Sequence, residues 1–175
     1  PDCNVPGCPD RNSAEGGQLT PEELEAANEA LRRANRSLHR SFPTSSLYTT
    51  NLLRRNYYQV VDSESVIAVT RFMANGQVDG GTAWAVQIGI DMGKPVFLFD
   101  QVSEAWYTWA GEAGWVRTYR PALPKGQFAG VGSRNLTARG AEEIKALFKQ
   151  PEAAPAAERP RLVTTGREAP ELGPT

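Results

Sequence analysis

Hydrophobic and polar positions along this chain change period several times, and each change marks an element. Between Val66 and Asp100 an apolar run, Val66–Val69, gives way to a polar stretch and then to the turn Asp79-Gly80-Gly81-Thr82. From Thr82 to Met92 the apolar residues Ala83, Val86 and Ile90, with Ala85, Gly89 and Met92, recur at helical spacing. Gly93 stops that helix, Pro95 prevents its continuation, and a second apolar run, Val96–Phe99, ends at Asp100. Neither run alternates, which predicts strands buried on both faces, as parallel sheets require. The pattern is one strand–helix–strand unit, joined by a right-handed crossover.

Upstream, Thr20, Pro21 and Glu23 spell an N-cap, a first-turn proline and a capping box. Leu24, Ala27, Leu31, Ala34 and Leu38 then form one apolar stripe, with Arg32, Arg33, Arg36, His39 and Arg40 on a face that solvation and the helix dipole explain. A second start signal at Thr44–Ser46 leads into a helix on which Leu47, Leu52, Leu53, Tyr57 and Tyr58 share a face. Downstream, the aromatic and β-branched runs Trp106–Trp109 and Trp115–Tyr119 flank Gly111–Gly114 and predict a hairpin. Its tryptophans either form a stacking platform for bases or bury one edge of a sheet. The last unit reads as strand Phe128–Val131, turn Gly132–Asn135, and a helix capped by Thr137 with Ile144, Leu147 and Phe148 available to a core.

Composition changes this picture only at the ends. The chain has 175 residues, 40% hydrophobic and 22% charged, which fits one domain with flanking tails. The division is an arm over residues 1–19, a domain over 20–149, and a Pro/Ala/Glu-rich tail over 150–175. A net charge of −1 supplies no drive toward nucleic acid or a membrane surface, and no apolar run is long enough to span a bilayer. No signal peptide is visible, and a cytoplasmic location is expected; the start at Pro1 is consistent with removal of an upstream segment. Cys3 and Cys8 are either a metal or redox pair or a loose arm with two thiols or one local disulfide. With His39 the single histidine, the ligand count falls short of structural zinc, so no metal and no resident cofactor are expected.

Chemistry concentrates at two loops. Gly80, Gly81 and Thr82 stand at a helix start, where free N–H groups and the helix dipole favour a phosphate or carboxylate, or where they simply make a tight, capped turn. Gly130, Gly132, Ser133 and Arg134 repeat the theme at another strand end, with an arginine able to pair an oxyanion bidentately. Two such loops at the carboxyl ends of parallel strands predict a shared ligand crevice. Arg54 and Arg55 either reach a phosphate there or are surface charge.

Together, V-D-G-G-T-x-W-A-V-Q-x-x-I-D-x-G-K-P-V-F-L-F-D and F-A-G-V-G-S-R-x-L-T-x-x-G resemble the SLOG superfamily of Rossmann-like nucleotide-binding proteins over roughly residues 42–149. That superfamily includes LOG-type nucleotide hydrolases and the DNA-processing protein DprA; this chain looks closer to its small uncharacterised phage and bacterial members. Many members place the G-S-R-like loop first; the reversed order here implies a circular permutation. The resemblance implies an α/β, Rossmann-like three-layer domain with a mostly parallel sheet, carrying the aromatic hairpin and the two tails. It also implies binding of a nucleotide or nucleotide derivative by Gly80, Gly81, Thr82, Gly130, Gly132, Ser133, Arg134 and Arg55, with Tyr57 or a tryptophan over the base. LOG hydrolases carry a catalytic glutamate in P-G-G-x-G-T-x-x-E; aligning their threonine on Thr82 puts Ala85 in that slot and Asp79 where the proline would lie. Cleavage or transfer of an N-glycosidic bond would therefore fall to Asp79 or Asp100. A third reading is an assembly protein on a degenerate nucleotide-binding fold, docking other subunits through its tails. SLOG relatives often dimerise, which admits a homo-oligomer; binding to nucleic acid is not expected.

Overall fold

A computed structural model describes residues 19–149 of the chain. The Cys3/Cys8 pair and the tail over 150–175 lie outside those residues.

Helix α1 (Pro21–Leu38) starts as its capping box dictates. Thr20 Oγ1 accepts from the Glu23 N–H at 3.2 Å, and the Glu23 carboxylate accepts from the Thr20 N–H at 2.7 Å. Ala27, Leu31, Ala34 and Leu38 are buried along one side. Helix α2 (Leu47–Val61) is capped by Ser46, whose hydroxyl accepts from the Thr49 N–H. Its buried face is set by Thr50, Leu53 and Val60, with Tyr57 packed against the same core. Leu47, expected on that face, is 71% exposed because it opens the helix ahead of the first inward position.

Five strands follow: β1 (Ser65–Thr70), β2 (Val96–Asp100), β3 (Ala105–Trp109), β4 (Trp115–Thr118) and β5 (Phe128–Gly132). They form one sheet in the order β4-β3-β2-β1-β5. Strand β1, next to the edge strand β5, runs parallel to β2, with Val66 opposite Val96, and parallel to β5, with Ile67 opposite Gly130. The β2–β3 and β3–β4 pairs are antiparallel. The sheet is therefore mixed, which corrects the expectation of a mostly parallel one. Only residues 101–104 separate β2 from β3, too few for a crossover, so the chain must turn back on itself.

Helix α3 (Thr82–Asp91) makes the crossover from β1 to β2 and is hydrophobic nearly all round; seven of its ten residues are buried. Side chains alternate across the sheet, so each face has its own apolar cluster. Val66, Ala68, Val96 and Leu98 pack with Leu31, Leu53 and Val86 of α1, α2 and α3. Ile67, Val69, Phe99 and Trp106 pack instead with Leu147 of α4 (Ala138–Phe148), whose N-cap Thr137 accepts from the Gly140 N–H at 3.0 Å. Phe148, one residue further round α4, is 64% exposed rather than in the core.

A buried carboxylate ties the hairpin to α4. Glu143 is 2% exposed and accepts from Trp106 Nε1–H at 2.8 Å and from the Arg120 fork at 2.7 and 2.8 Å, with Arg139 Nη2 ion-paired to it at 2.9 Å. The Arg120 guanidinium, then the indole N–H, hold the Glu143 carboxyl below the usual glutamate range against the opposing effect of burial. Trp106 is thus a core residue. Trp115 packs on Phe72 and on the other cluster, while Trp109 lies edge-on to Trp115 at 5.4 Å. The burial reading holds for Trp106 and in part for the half-buried Trp115, whereas Trp109 is 37% exposed. No helix among the described residues is long and apolar enough to cross a membrane.

Candidate functional site

The loops after β1 and β5 meet. A cleft of about 680 Å³ is lined by Asp79–Thr82, by Gly130–Asn135, and by one face of α2. That α2 face is Tyr48, Leu52, Arg55, Asn56 and Gln59, spaced i, i+4, i+7, i+8, i+11.

The floor of the cleft is the start of α3. Gly80 sits at φ +64°, a conformation that penalises any side chain, and Gly81 follows at φ −66°, ψ −26° without a side-chain cap. Asp79 is spoken for: its carboxylate takes Arg71 Nε–H at 2.7 Å. Arg71, then the Gly80 amide and Arg40, hold that carboxyl below its ordinary range. The amides of Gly81, Thr82 and Ala83 have no hydrogen-bond partner among the described residues, as the opening of an uncapped helix leaves them.

Strand β5 forms the opposite wall. Gln127 C=O accepts from Glu64 N–H and Ser133 N–H donates to Val69 C=O, so residues 127 and 133 face β1. By the two-residue alternation, the N–H and C=O groups of Gly130 and Gly132 point away from β1, where no further strand pairs among the described residues. Ser133 contributes less than expected. Its amide is used by Val69, and its hydroxyl donates to Asn135 C=O at 3.0 Å. Gln101 holds this loop in place, accepting from Thr137 N–H at 2.7 Å and donating to Asn135 C=O at 3.0 Å.

The two adjacent arginines of α2 part company because successive helical residues point about 100° apart. Arg54 turns to α1, donating to Asn28 Oδ1 there and to Asn51 Oδ1 on its own helix. Arg55 lines the cleft, and its Nε is buried with no hydrogen-bond partner among the described residues. Arg134 is exposed on the opposite rim. With Asp79 neutralised by Arg71, the charge presented to the cleft is positive.

Two expected site residues lie elsewhere. Tyr57 packs into the helical core with its ring 5.1 Å from that of Tyr58, so Tyr57 is not available to cover a base. Asp100 is 4% exposed and caps the turn after β2, accepting from the N–H groups of Phe72 at 3.1 Å and Ser103 at 2.9 Å and from the Ser103 hydroxyl at 2.6 Å. No tryptophan lines the cleft; its aromatic is Tyr48, 66% exposed. Among the described residues no cluster of three or more His, Cys, Asp or Glu side chains is placed to hold a metal ion.

Five contributors escaped the sequence reading. Tyr48, Asn56 and Gln59 belong to a helical stripe that was legible as spacing. Gln101 carried no local signal. Neither did Arg40, which reaches across forty positions to the carbonyl oxygens of Gly80 (Nη1, 2.6 Å) and Val78 (Nη2, 3.0 Å). It is partly buried rather than part of a solvated face.

A second cleft of about 490 Å³, beside Trp106, Arg120, Arg139 and Glu143, offers less chemistry, because the Glu143 oxygens already accept three hydrogen bonds and pair with Arg139. No protein-family model, curated protein or solved structure matches this chain. The class defined by fold and site is a mixed α/β domain with a glycine-walled, positively charged cleft at the carboxyl ends of its parallel strands.

Proposed function

We propose that this chain binds a nucleotide or nucleotide-derived ligand in the cleft between Gly80–Thr82 and Gly130–Arg134, on a Rossmann-like, SLOG-related domain. The carrying observation is the convergence of the two glycine segments on one space, with uncapped amides of α3 on one side and Arg55 and Arg134 on the others. Anionic oxygens would take the Gly81, Thr82 and Ala83 amides and the arginines. Tyr48 would cover the apolar part of the ligand, and Asn56 and Gln59 supply directional hydrogen bonds.

Gly81 supports this reading in a second way. Its backbone is helical and a Cβ built on it meets nothing within 4 Å, so neither conformation nor packing demands a glycine there. A ligand approaching the backbone closely would.

Binding is favoured over glycosidic cleavage by the state of the two candidate carboxylates. Asp79 is engaged by Arg71, and Asp100 is buried in its own turn. Neither is a free acid or base in reach of a bound sugar. The test is a nucleotide panel scored by thermal shift and by chromatography for released base. A shift that Arg134→Ala abolishes, without product, supports binding. Released base moves the reading to an enzyme. No shift with any nucleotide ends it, and leaves the assembly alternative, tested by removing residues 151–175 and measuring self-association.

A further inference from the structure

We propose that Arg40 is the positioning residue of this cleft: its guanidinium fixes the Gly80–Gly81 peptide so that the Gly81 amide faces the ligand. The proposal rests on the nucleotide-binding reading and adds to it the residue that keeps the anion cradle open.

The geometry follows from peptide planarity. In a trans peptide the C=O and the following N–H point in opposite directions. Arg40 Nη1 holds the Gly80 carbonyl oxygen at 2.6 Å, so the Gly81 N–H is turned away from Arg40. Nη2 of the same fork holds Val78 C=O at 3.0 Å, so two carbonyls on either side of Asp79 are clamped by one planar group. The loop needs such a clamp. Gly80 and Gly81 have open space around their α-carbons, and nothing in their own side chains resists rotation of the peptide between them. A flip would bring the Gly80 carbonyl, a partial negative charge, to where the amide now stands, and an anion would meet repulsion instead of a donor.

Arg40 is itself well held. It follows His39, the α1 C-cap at φ +52°, and its own N–H donates to Asn35 Oδ1 at 3.2 Å. The end of α1 thus sets the start of α3. Arg40 also lies beside Asp79 together with Arg71, so the loop as a whole carries a positive excess. Because Arg40 contacts backbone oxygens, it acts through the Gly81 peptide rather than by touching the ligand.

The test uses the full chain, uniformly ¹⁵N-labelled, with inorganic phosphate and AMP as probes. In the wild type, both probes shift the Gly81 amide resonance. Arg40→Ala is expected to retain the wild-type melting transition within a few degrees, to change the Gly81 amide shift and accelerate its hydrogen exchange before any probe is added, and to weaken probe binding about tenfold or more, the loss of roughly one charge-assisted hydrogen bond. Arg40→Lys separates charge from geometry. It keeps the charge but not the fork, and is expected to bind closer to Arg40→Ala than to wild type. Arg40→Lys binding at wild-type affinity overturns the positioning role in favour of plain charge. Arg40→Ala with an unchanged Gly81 resonance and unchanged affinity overturns the role altogether. If wild type binds neither probe, the nucleotide reading falls and the functional role of Arg40 with it. Should Arg40→Ala fail to fold, Arg40→Gln, which preserves one donor pair, carries the same readouts.

Discussion

Two glycines of the same helix region offer a paired measurement in which one chemical change has opposite consequences. In Gly89→Ala, the new Cβ stands 2.6 Å from Val66 Cγ2 and 3.3 Å from Val96 Cγ2. Carbon–carbon contacts settle at about 3.5–4.0 Å, so α3 must lift by roughly 1 Å or the valines must move. The valines cannot move easily, since both are fully buried and lie opposite each other in β1 and β2. Overpacking of this kind costs about 1–3 kcal/mol. Against it stands a gain of about 0.5–1 kcal/mol from replacing glycine within a helix. In Gly81→Ala the Cβ meets nothing within 4 Å, so only the entropic gain of about 0.4–1 kcal/mol remains. The propensity gains nearly cancel between the two variants, leaving a difference of about 2 kcal/mol that belongs to the Val66 and Val96 contact. Urea unfolding followed by tryptophan fluorescence reads it: with a slope of about 2 kcal/mol per molar, the midpoints should differ by about 1 M. Coincident midpoints would refute the packing argument. The same Gly81→Ala protein, folded and unstrained, should have lost nucleotide binding; if it binds as wild type does, close approach to that backbone is wrong.

The other predictions concern the carboxylates and the core. Glu143→Ala strands the indole N–H of Trp106 and two guanidinium groups, and should cost about 3–5 kcal/mol in the same unfolding assay. The pH dependence has a definite sign. Glu143 is held below its ordinary value of 4.5 in the folded chain, so the unfolded chain takes up the proton first. Its contribution is complete above that value and fades as pH falls toward the lower folded pKa; Glu143→Gln should flatten this part of the stability–pH curve. Asp100→Ala removes the acceptor for Phe72 and Ser103 and should lower stability by about 1–3 kcal/mol, while the folded fraction keeps any nucleotide affinity. An equal loss of affinity would return Asp100 to the site. Leu31→Ala empties a fully buried position of the α1–α3 core and should cost about 2–5 kcal/mol by calorimetry.

Local rules written in single residues carried most of the elements. A capping box at Thr20–Glu23, unbroken apolar runs at Val66–Val69 and Val96–Phe99, and Thr137 ahead of an amphipathic segment each act within a few positions. Such signals survive in a bare chain because backbone hydrogen bonding and side-chain period are short-range. The two glycine loops were legible for the same reason, as small residues at strand ends. What could not be read was which partner each side chain would meet across the fold. Arg40 looks like any basic residue at a helix end until α1 and the Gly80 turn are brought together, and Arg54 and Arg55 are indistinguishable until packing of α2 sends one to α1 and the other to the cleft. Tyr57 and Asp100 were suitable in kind but are consumed, one by the core and one by a turn. Direction and burial are properties of assembled elements, and a side chain acquires them only when the sheet and helices have closed around it.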